Sequence, residues 1–166
     1  MGLFRKKAPE PQPRDVILPA GEDAYVEVVG ESFYQDALLA IAGPKTDASC
    51  RKRKWAQLVR EPQNEYDSNA VAVYIDGRKT GHLCREDAGE YAVILDEVWA
   101  SYRLNCFCGA EINGGWLKVD AAGRTVDEGS FGVVLELAEP DELLGEHTLE
   151  ELSPQDLAAG PPPHRG

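Results

Sequence analysis

A chain of 166 residues with 43% hydrophobic and 28% charged residues can form one domain with a core. This composition excludes a protein that is disordered along its whole length. The net charge of −12 argues against a protein that coats nucleic acid by neutralising phosphates, although it is compatible with a local cationic groove. Because no segment has about twenty consecutive apolar residues and the N-terminus lacks the apolar region of a secretory signal, we expect a cytoplasmic protein without membrane association.

The first third of the sequence predicts one strand and one helix. Residues 1–22 are rich in proline and charge, which predicts disorder. Residues 24–29 alternate apolar and polar side chains, as a half-buried strand does. Residues 33–42 have the apolar spacing of one short helix, which a Gly-Pro pair ends. Residues 43–53 predict a polar loop that finishes in a basic run.

The centre of the sequence predicts a β-hairpin preceded by another strand. Residues 55–59 predict that strand, and the following proline ends it. Residues 70–75 alternate again, and residues 80–84 form the return strand. Between them, Asp76 and Gly77 favour a type I′ turn, which requires a positive φ at both positions. This hairpin is the strongest local structural signal in the chain.

The last part of the sequence predicts a helix, further strands and an acidic tail. Residues 86–98 place apolar side chains on one helical face. Alternating, β-prone residues predict strands at 102–112, 116–119 and 131–138. In the tail, Thr148 and Glu151 have the spacing of a capping box at the start of a short helix.

Many short strands with few helices and frequent glycine turns are typical of a small antiparallel barrel. We therefore predict a mostly β (α+β) protein of about six strands and two short helices, with disordered tails at both ends. Three segments follow from the composition: a disordered segment at 1–22, the barrel at 23–139 and an acidic, proline-rich tail at 140–166.

Motifs of the common enzyme classes do not occur in the sequence. It has no glycine-rich phosphate loop, no nucleophile elbow and no zinc-protease helix. His82 is the one histidine outside the tail, and no activated serine or cysteine accompanies it. We therefore expect a protein that is not an enzyme and uses no cofactor.

Two features leave alternatives open. Cys106 and Cys108 form the best metal candidate, but structural zinc takes four ligands and only this pair is close in sequence. Residues i and i+2 of a strand share a face, so the pair equally fits a buried core position, which we favour. The basic run is either a patch for phosphates or a solvated face, and its members are Arg51, Lys52, Arg53 and Lys54.

Residues 56–86 carry an ordered series of motifs. The series is Leu58-Val59-Arg60-Glu61-Pro62, Asn64, Tyr66-Asp67, Asn69-Ala70-Val71 and, after the hairpin, Gly81-His82-Leu83. Upstream stand Val28-Val29-Gly30 and Phe33-Tyr34. Together they resemble the HIRAN domain from about residue 24 to about residue 138. The resemblance implies an OB-like barrel that binds the free 3′-hydroxyl end of single-stranded DNA, as in HIRAN domains at the front of Swi/Snf-type helicases.

The resemblance also implies a nucleic-acid-binding site. Its members are Phe33, Tyr34, Arg60, Asn64, Tyr66, Asp67, His82 and Arg85. Tyr66 is expected to stack on the terminal base, and Asp67 to accept a hydrogen bond from the 3′-hydroxyl. Asn64 adds a polar contact beside them, and His82 and Arg85 reach phosphates.

The sequence departs from the family pattern near this site. Ser32 stands where the DNA-binding members have an arginine, and Phe33 stands in place of a stacking tyrosine. Gln63 replaces an asparagine, and Glu65 adds a negative charge. We therefore expect weak, salt-sensitive binding of DNA, or a different ligand.

The expected role is DNA repair or replication restart, with a helicase or nuclease as a partner. Two alternatives remain: an adaptor that docks a protein through its acidic tail or an edge strand, and a non-catalytic subunit of a helicase or nuclease system. The motif residues also fit a turn scaffold that the fold needs whether or not DNA binds.

Overall fold

The computed structural model describes residues 9–22, 25–145 and 149–163. Within these ranges the strands are β1 (Arg14–Ile17), β2 (Tyr25–Val29), β3 (Cys50–Arg60), β4 (Val71–Ile75), β5 (Arg78–Leu83), β6 (Leu104–Gly114), β7 (Leu117–Val119), β8 (Thr125–Glu128), β9 (Phe131–Glu136) and β10 (Glu150–Glu151). The helices are α1 (Gln35–Ala42), α2 (Arg85–Tyr102), α3 (Pro140–Leu143) and α4 (Pro154–Ala159), with a 3-10 turn at Glu31–Phe33.

Six strands close into an antiparallel barrel in the order β6-β3-β4-β5-β2-β9, and β9 returns to β6. The closure depends on the length of β6, whose second half pairs with β9 while its first half pairs in parallel with β1. The strands β1 and β10 extend the sheet beyond the barrel, and β7 with β8 forms a separate ribbon. The prediction of a small antiparallel barrel of about six strands is confirmed, with four helices in the described ranges.

The core fills the barrel and continues under α2. Strand β4 is buried on both faces because α2 also contacts it. From α2, Tyr91 and Leu95 join the same cluster as the strand side chains. The Tyr91 hydroxyl donates a hydrogen bond of 2.8 Å to the carbonyl oxygen of Ala138. This contact satisfies a buried polar group and ties α2 to the chain that follows β9.

The predicted hairpin between β4 and β5 is confirmed. Asp76 and Gly77 have φ values of 49° and 74°, the left-handed conformation that a type I′ turn requires at both positions. The turn sets the return of β5, which carries His82 back toward β2.

Three elements in the first half differ from the predictions. Residues 14–17, predicted to be disordered, form β1 because β6 offers its free edge. Strand β3 begins at Cys50, so the basic run lies in a strand rather than a loop, since β6 extends the ladder. The helix predicted at 33–42 is a 3-10 turn followed by α1, with a break at Tyr34.

The tail also differs from its predicted disorder within residues 149–163. Thr148 lies outside the described residues, and Glu151, its predicted capping partner, pairs with β1 in β10. The capping box that forms is one motif later: Ser153 and Asp156 cap α4 through reciprocal contacts. Here strand pairing with β1 outcompetes the local helix signal.

Across the described part of the chain, no helix combines the length and the apolar character needed to cross a membrane.

Candidate nucleic-acid interface

The loop between β3 and β4 is built around two side-chain turns. The Asn64 side-chain oxygen accepts hydrogen bonds from the amides of Tyr66 at 2.9 Å and Asp67 at 3.1 Å. One Asp67 oxygen accepts from the amide of Asn69 at 2.9 Å. Asn and Asp favour this arrangement because their short side chains can replace backbone acceptors in a turn. The turns give Tyr66 and Asp67 fixed backbone positions.

Arg60 holds the far end of the same loop. Its guanidinium donates to the carbonyl oxygens of Ala70 at 2.9 Å and Ser68 at 3.1 Å, and it contacts Asp96 of α2 at 2.9 Å. The side chain lines a different cleft, between β3, β6 and α2, beside Trp99. The structure therefore places Arg60 behind the loop, apart from the other predicted site residues.

A surface cleft of about 490 Å³ lies in front of the loop. Its lining combines the loop with the end of β5 and the start of α2, and it consists of Asn64, Tyr66, Asp67, Ala70, His82, Leu83 and Arg85. Tyr66 is 85% exposed, so its side chain is open to a ligand. Five of the eight predicted site residues thus meet in one place.

Arg85, the first residue of α2, supplies positive charge to the cleft. Its guanidinium donates a hydrogen bond of 2.6 Å to the carbonyl oxygen of Tyr66 and lies 3.9 Å from the second carboxylate oxygen of Asp67. The side chain is 79% exposed, so the pair with Asp67 is weak and the guanidinium can reach a bound anion. The Asp67 carboxylate keeps an oxygen that a hydroxyl donor can approach.

Glu61 joins the loop to β5 behind the cleft. One of its carboxylate oxygens is 2.7 Å from His82 Nε2 and 3.3 Å from the side-chain nitrogen of Asn64. The other oxygen accepts a hydrogen bond from Lys79. Burial raises the pKa of Glu61, but the hydrogen bonds from Lys79, His82 and Asn64 together lower it by more, so its net pKa lies below the usual value. The hydrogen bond to Glu61 in turn raises the pKa of Lys79. Both groups therefore stay charged at neutral pH.

The aromatic pair before α1 divides between two environments. Tyr34 is half-buried, and its ring lies 6.3 Å from the His82 ring at an angle of 54°. Phe33 is 86% exposed on the 3-10 turn. Neither residue lines the cleft. Tyr34 therefore supports His82 from the side, while Phe33 offers a separate apolar surface.

Each of the four basic residues of β3 has a contact within the chain, although Arg51 is 78% exposed and its pair with Glu111 is therefore weak. Arg51 contacts Glu111 at 3.4 Å, Arg53 pairs with Glu136, and Lys54 contacts Asp76 at 2.9 Å. Lys52 donates 3.0 Å to the carbonyl oxygen of Ala42. None of the four lines the cleft. The acidic side chains around them reduce the positive field that a phosphate patch would need.

Cys106 and Cys108 lie in the core, as the strand spacing predicts for a buried pair. Burial raises the pKa of Cys106 to about 12 and also raises that of Cys108, so both remain neutral thiols. Zinc binds the thiolate, and in the described ranges no group of three or more His, Cys, Asp or Glu side chains could hold a metal ion.

The sequence motifs did not indicate the roles of Glu61 and Lys79. Glu61 precedes Asn64 by three residues in the same motif, and this proximity is the one sequence feature that could have indicated its role. Lys79 joins the cluster through the β4–β5 register, which is irregular between Val73 and Tyr74. A periodic strand pattern cannot reveal such a shift.

Comparison with known proteins identifies the family. A HIRAN domain family model matches residues 22–110, more than half of the chain. The crystal structure of the HIRAN domain of human HLTF is similar at 22% sequence identity, covering 72% of this chain and 79% of that chain, with a TM-score of 0.32. A search of curated proteins finds no match. The family match shows that this chain belongs to the HIRAN domain family, a domain known as a nucleic-acid-binding module, which supports a role in binding DNA.

Proposed function

We propose that the chain binds the 3′ end of single-stranded DNA in the cleft formed by Tyr66, Asp67, His82 and Arg85. The single observation that carries this proposal is the shared turn of Tyr66 and Asp67. It presents an open aromatic ring beside a carboxylate, next to one exposed guanidinium.

Each group has a distinct chemical task in this proposal. An aromatic ring stacks on any base, because every base has a π-face, and such stacking contributes about 1–3 kcal/mol per base. A free 3′-hydroxyl is a hydrogen-bond donor, whereas a phosphodiester oxygen is only an acceptor, so the Asp67 carboxylate can distinguish an end from an internal position. Arg85 and His82 contact the phosphate on the 5′ side of that terminal nucleotide.

The surrounding charge predicts modest affinity. Glu65 is exposed on the same loop, and the basic residues of β3 are engaged with carboxylates or a carbonyl. Few cations are therefore left to neutralise phosphates, so affinity should be modest and should fall only gradually with salt, because the salt slope grows with the number of phosphates neutralised. We propose a non-catalytic role in the cytoplasm, in DNA repair or replication restart, where a helicase or nuclease partner supplies the chemistry.

The test compares two ends of one oligonucleotide. Fluorescence anisotropy at low and moderate salt should show tighter binding of a strand with a 3′-hydroxyl than of the same strand with a 3′-phosphate. Asp67→Asn keeps an oxygen for the Asn69 amide but removes the charge, so it should abolish the preference for the hydroxyl end. Tyr66→Ala should weaken binding of both strands by roughly tenfold to a hundredfold.

Tyr102→Ala is the matched control, because Tyr102 is an exposed tyrosine that does not line the cleft. It should bind both strands like the unmodified chain. Equal binding of the two ends by the unmodified chain would contradict end recognition. A lack of binding to either strand would contradict the whole proposal.

A further inference from the structure

His82 lies between the cleft and a carboxylate that does not face the cleft. The ring lines the cleft, while Glu61 and Lys79 do not. Glu61 contacts His82 Nε2 at 2.7 Å, and both side chains are about a quarter exposed or less. The contact therefore acts from behind the surface that a ligand would touch.

The chemistry of this contact determines which ring nitrogen carries hydrogen. An ionised carboxylate only accepts hydrogen bonds, so Nε2 of His82 must carry a hydrogen in the contact with Glu61. In the neutral ring, Nδ1 then has a lone pair and no hydrogen. A phosphate oxygen also only accepts, so a contact between Nδ1 and phosphate requires the protonated ring.

The charges around His82 come from several elements. Glu61 follows β3, and Lys79 lies on β5 and shares the Glu61 carboxylate. Across the cleft are Asp67 of the loop and Arg85 of α2, and the Tyr34 ring packs beside the imidazole. Histidine is the one side-chain type among these whose ordinary titration falls between about pH 5 and 8.

We infer that Glu61 is a positioning residue that orients His82 and stabilises its protonated ring, so that the cleft takes up one proton together with the phosphate it binds. The inference rests on the proposed function for the identity of the phosphate. Lys79 disfavours the protonated ring, because its ammonium group partly neutralises the same Glu61 carboxylate.

The first test is the pH profile of DNA binding. Affinity of the unmodified chain for the 3′-hydroxyl strand should fall as pH rises, approaching about tenfold per pH unit above the midpoint, as one linked proton requires. Glu61→Gln should weaken binding and move the midpoint to lower pH, because it removes the negative charge beside the ring. Lys79→Gln should move the midpoint to higher pH, and His82→Gln should remove this pH dependence.

The opposite shifts separate positioning from a merely structural role. Both substitutions break the same cluster, so a loss of structure would change binding in one direction for both variants. Arg78→Gln is the control for net charge, because Arg78 is the exposed neighbour of Lys79 and does not line the cleft. It should leave the midpoint in place. A flat profile in the unmodified chain, or shifts of one sign in both variants, would overturn the inference.

A second measurement needs no DNA. Nitrogen-15 NMR of the imidazole in the free full-length chain, with the His82 signals assigned through His82→Gln, should show hydrogen on Nε2 in the neutral ring. The ring should gain its proton at lower pH in Glu61→Gln and at higher pH in Lys79→Gln. If these NMR results hold while no oligonucleotide binds, the proposed function fails and the positioning by Glu61 stands. Hydrogen on Nδ1 instead would overturn the inference even if DNA binds.

Discussion

Arg60 shows how a cation in a binding motif can serve the fold. Its guanidinium donates to two loop carbonyl oxygens, on Ser68 and Ala70, at the end of the loop that presents Tyr66. The contact with Asp96 adds little, because that carboxylate is 60% exposed. Arg60 therefore supports the loop that presents Tyr66, and its side chain does not line the cleft.

Replacing Arg60 with alanine should lower the free energy of unfolding by about 2 kcal/mol, because two loop carbonyl groups lose a charged donor. Chemical denaturation followed by circular dichroism would measure the change. Arg78→Ala removes an exposed arginine from the β4–β5 turn and should change stability by less than about 0.5 kcal/mol. Equal effects of the two substitutions would contradict the supporting role of Arg60.

Among the described residues that line the cleft, Arg85 is the one arginine or lysine, whereas the four basic residues of β3 are paired or bonded elsewhere. In a chain with a net charge of −12, a local site has to rely on stacking and on the recognition of an end more than on counterion release. This balance predicts weak binding whose salt dependence is shallower than the departures from the family pattern suggested.

The seam between β2 and β5 depends on the small size of Gly81. A Cβ atom at this position would lie 2.5 Å from Val28 Cγ1 and 2.7 Å from the backbone oxygen of Val29. Strand β2 leads directly into the 3-10 turn with Phe33, and His82 follows Gly81 on β5. The close approach of these two strands therefore determines where the aromatic pair and His82 lie relative to each other.

Gly81→Ala should lower the free energy of unfolding by about 2 kcal/mol, because a backbone oxygen has to move to admit the methyl group. It should also displace His82 and weaken DNA binding. Gly89→Ala is the opposite case with the same chemical change. A Cβ atom there meets nothing within 4 Å inside α2, so this substitution should stabilise the chain by about 0.5–1 kcal/mol.

Thermal and denaturant unfolding of the two alanine variants would check these signs. If Gly81→Ala were as stable as the unmodified chain, strands β2 and β5 would be able to move apart without loss of stability, which would contradict this prediction.

The segment 149–163 lies against the outside of the barrel and beyond the residues that the family model matches. Leu152 is buried against Trp55 and Phe107, with Ile17 beside them. The Trp55 indole nitrogen donates 3.0 Å to the carbonyl oxygen of Asp156. The segment therefore covers apolar side chains and pairs with the edge of β1. An unpaired sheet edge could otherwise pair with strands of other chains.

Leu152→Ala should lower the free energy of unfolding by about 2 kcal/mol, since it removes a buried side chain and leaves a cavity beside Trp55. Leu144→Ala is the control, because Leu144 is 64% exposed and should change stability by less than about 0.5 kcal/mol. Denaturant unfolding measures both. If Leu152→Ala behaves like the control, the segment contributes nothing to the stability of the barrel.

If the chain were an adaptor, its acidic tail or an edge strand would have to be available to bind a protein partner. In the described residues, β10 instead pairs with β1, and Arg14 contacts Glu151 at 2.8 Å. The tail thus covers the edge of β1 at Val16 and Ile17. DNA binding is the better supported of the two functions.

Local patterns in the sequence predicted the elements that depend on neighbouring residues. The Asp76-Gly77 turn, the strands around it and α2 follow from φ preferences and from the periodicity of apolar side chains, which act within a few residues. The motif from Asn64 to Asp67 also indicated where the cleft lies, because its turns are made by side chains of that same segment.

Contacts between distant segments required the folded chain. The pairing of β1 and β10, the extension of β3 to Cys50 and the Glu61–Lys79–His82 cluster join residues that are remote in sequence or out of regular register. Their energies come from edge pairing, burial and charge at short range, which exist only after the barrel closes. The same closure turns Arg60 and the basic run toward partners within the chain and leaves Tyr66, Asp67 and Arg85 facing outward.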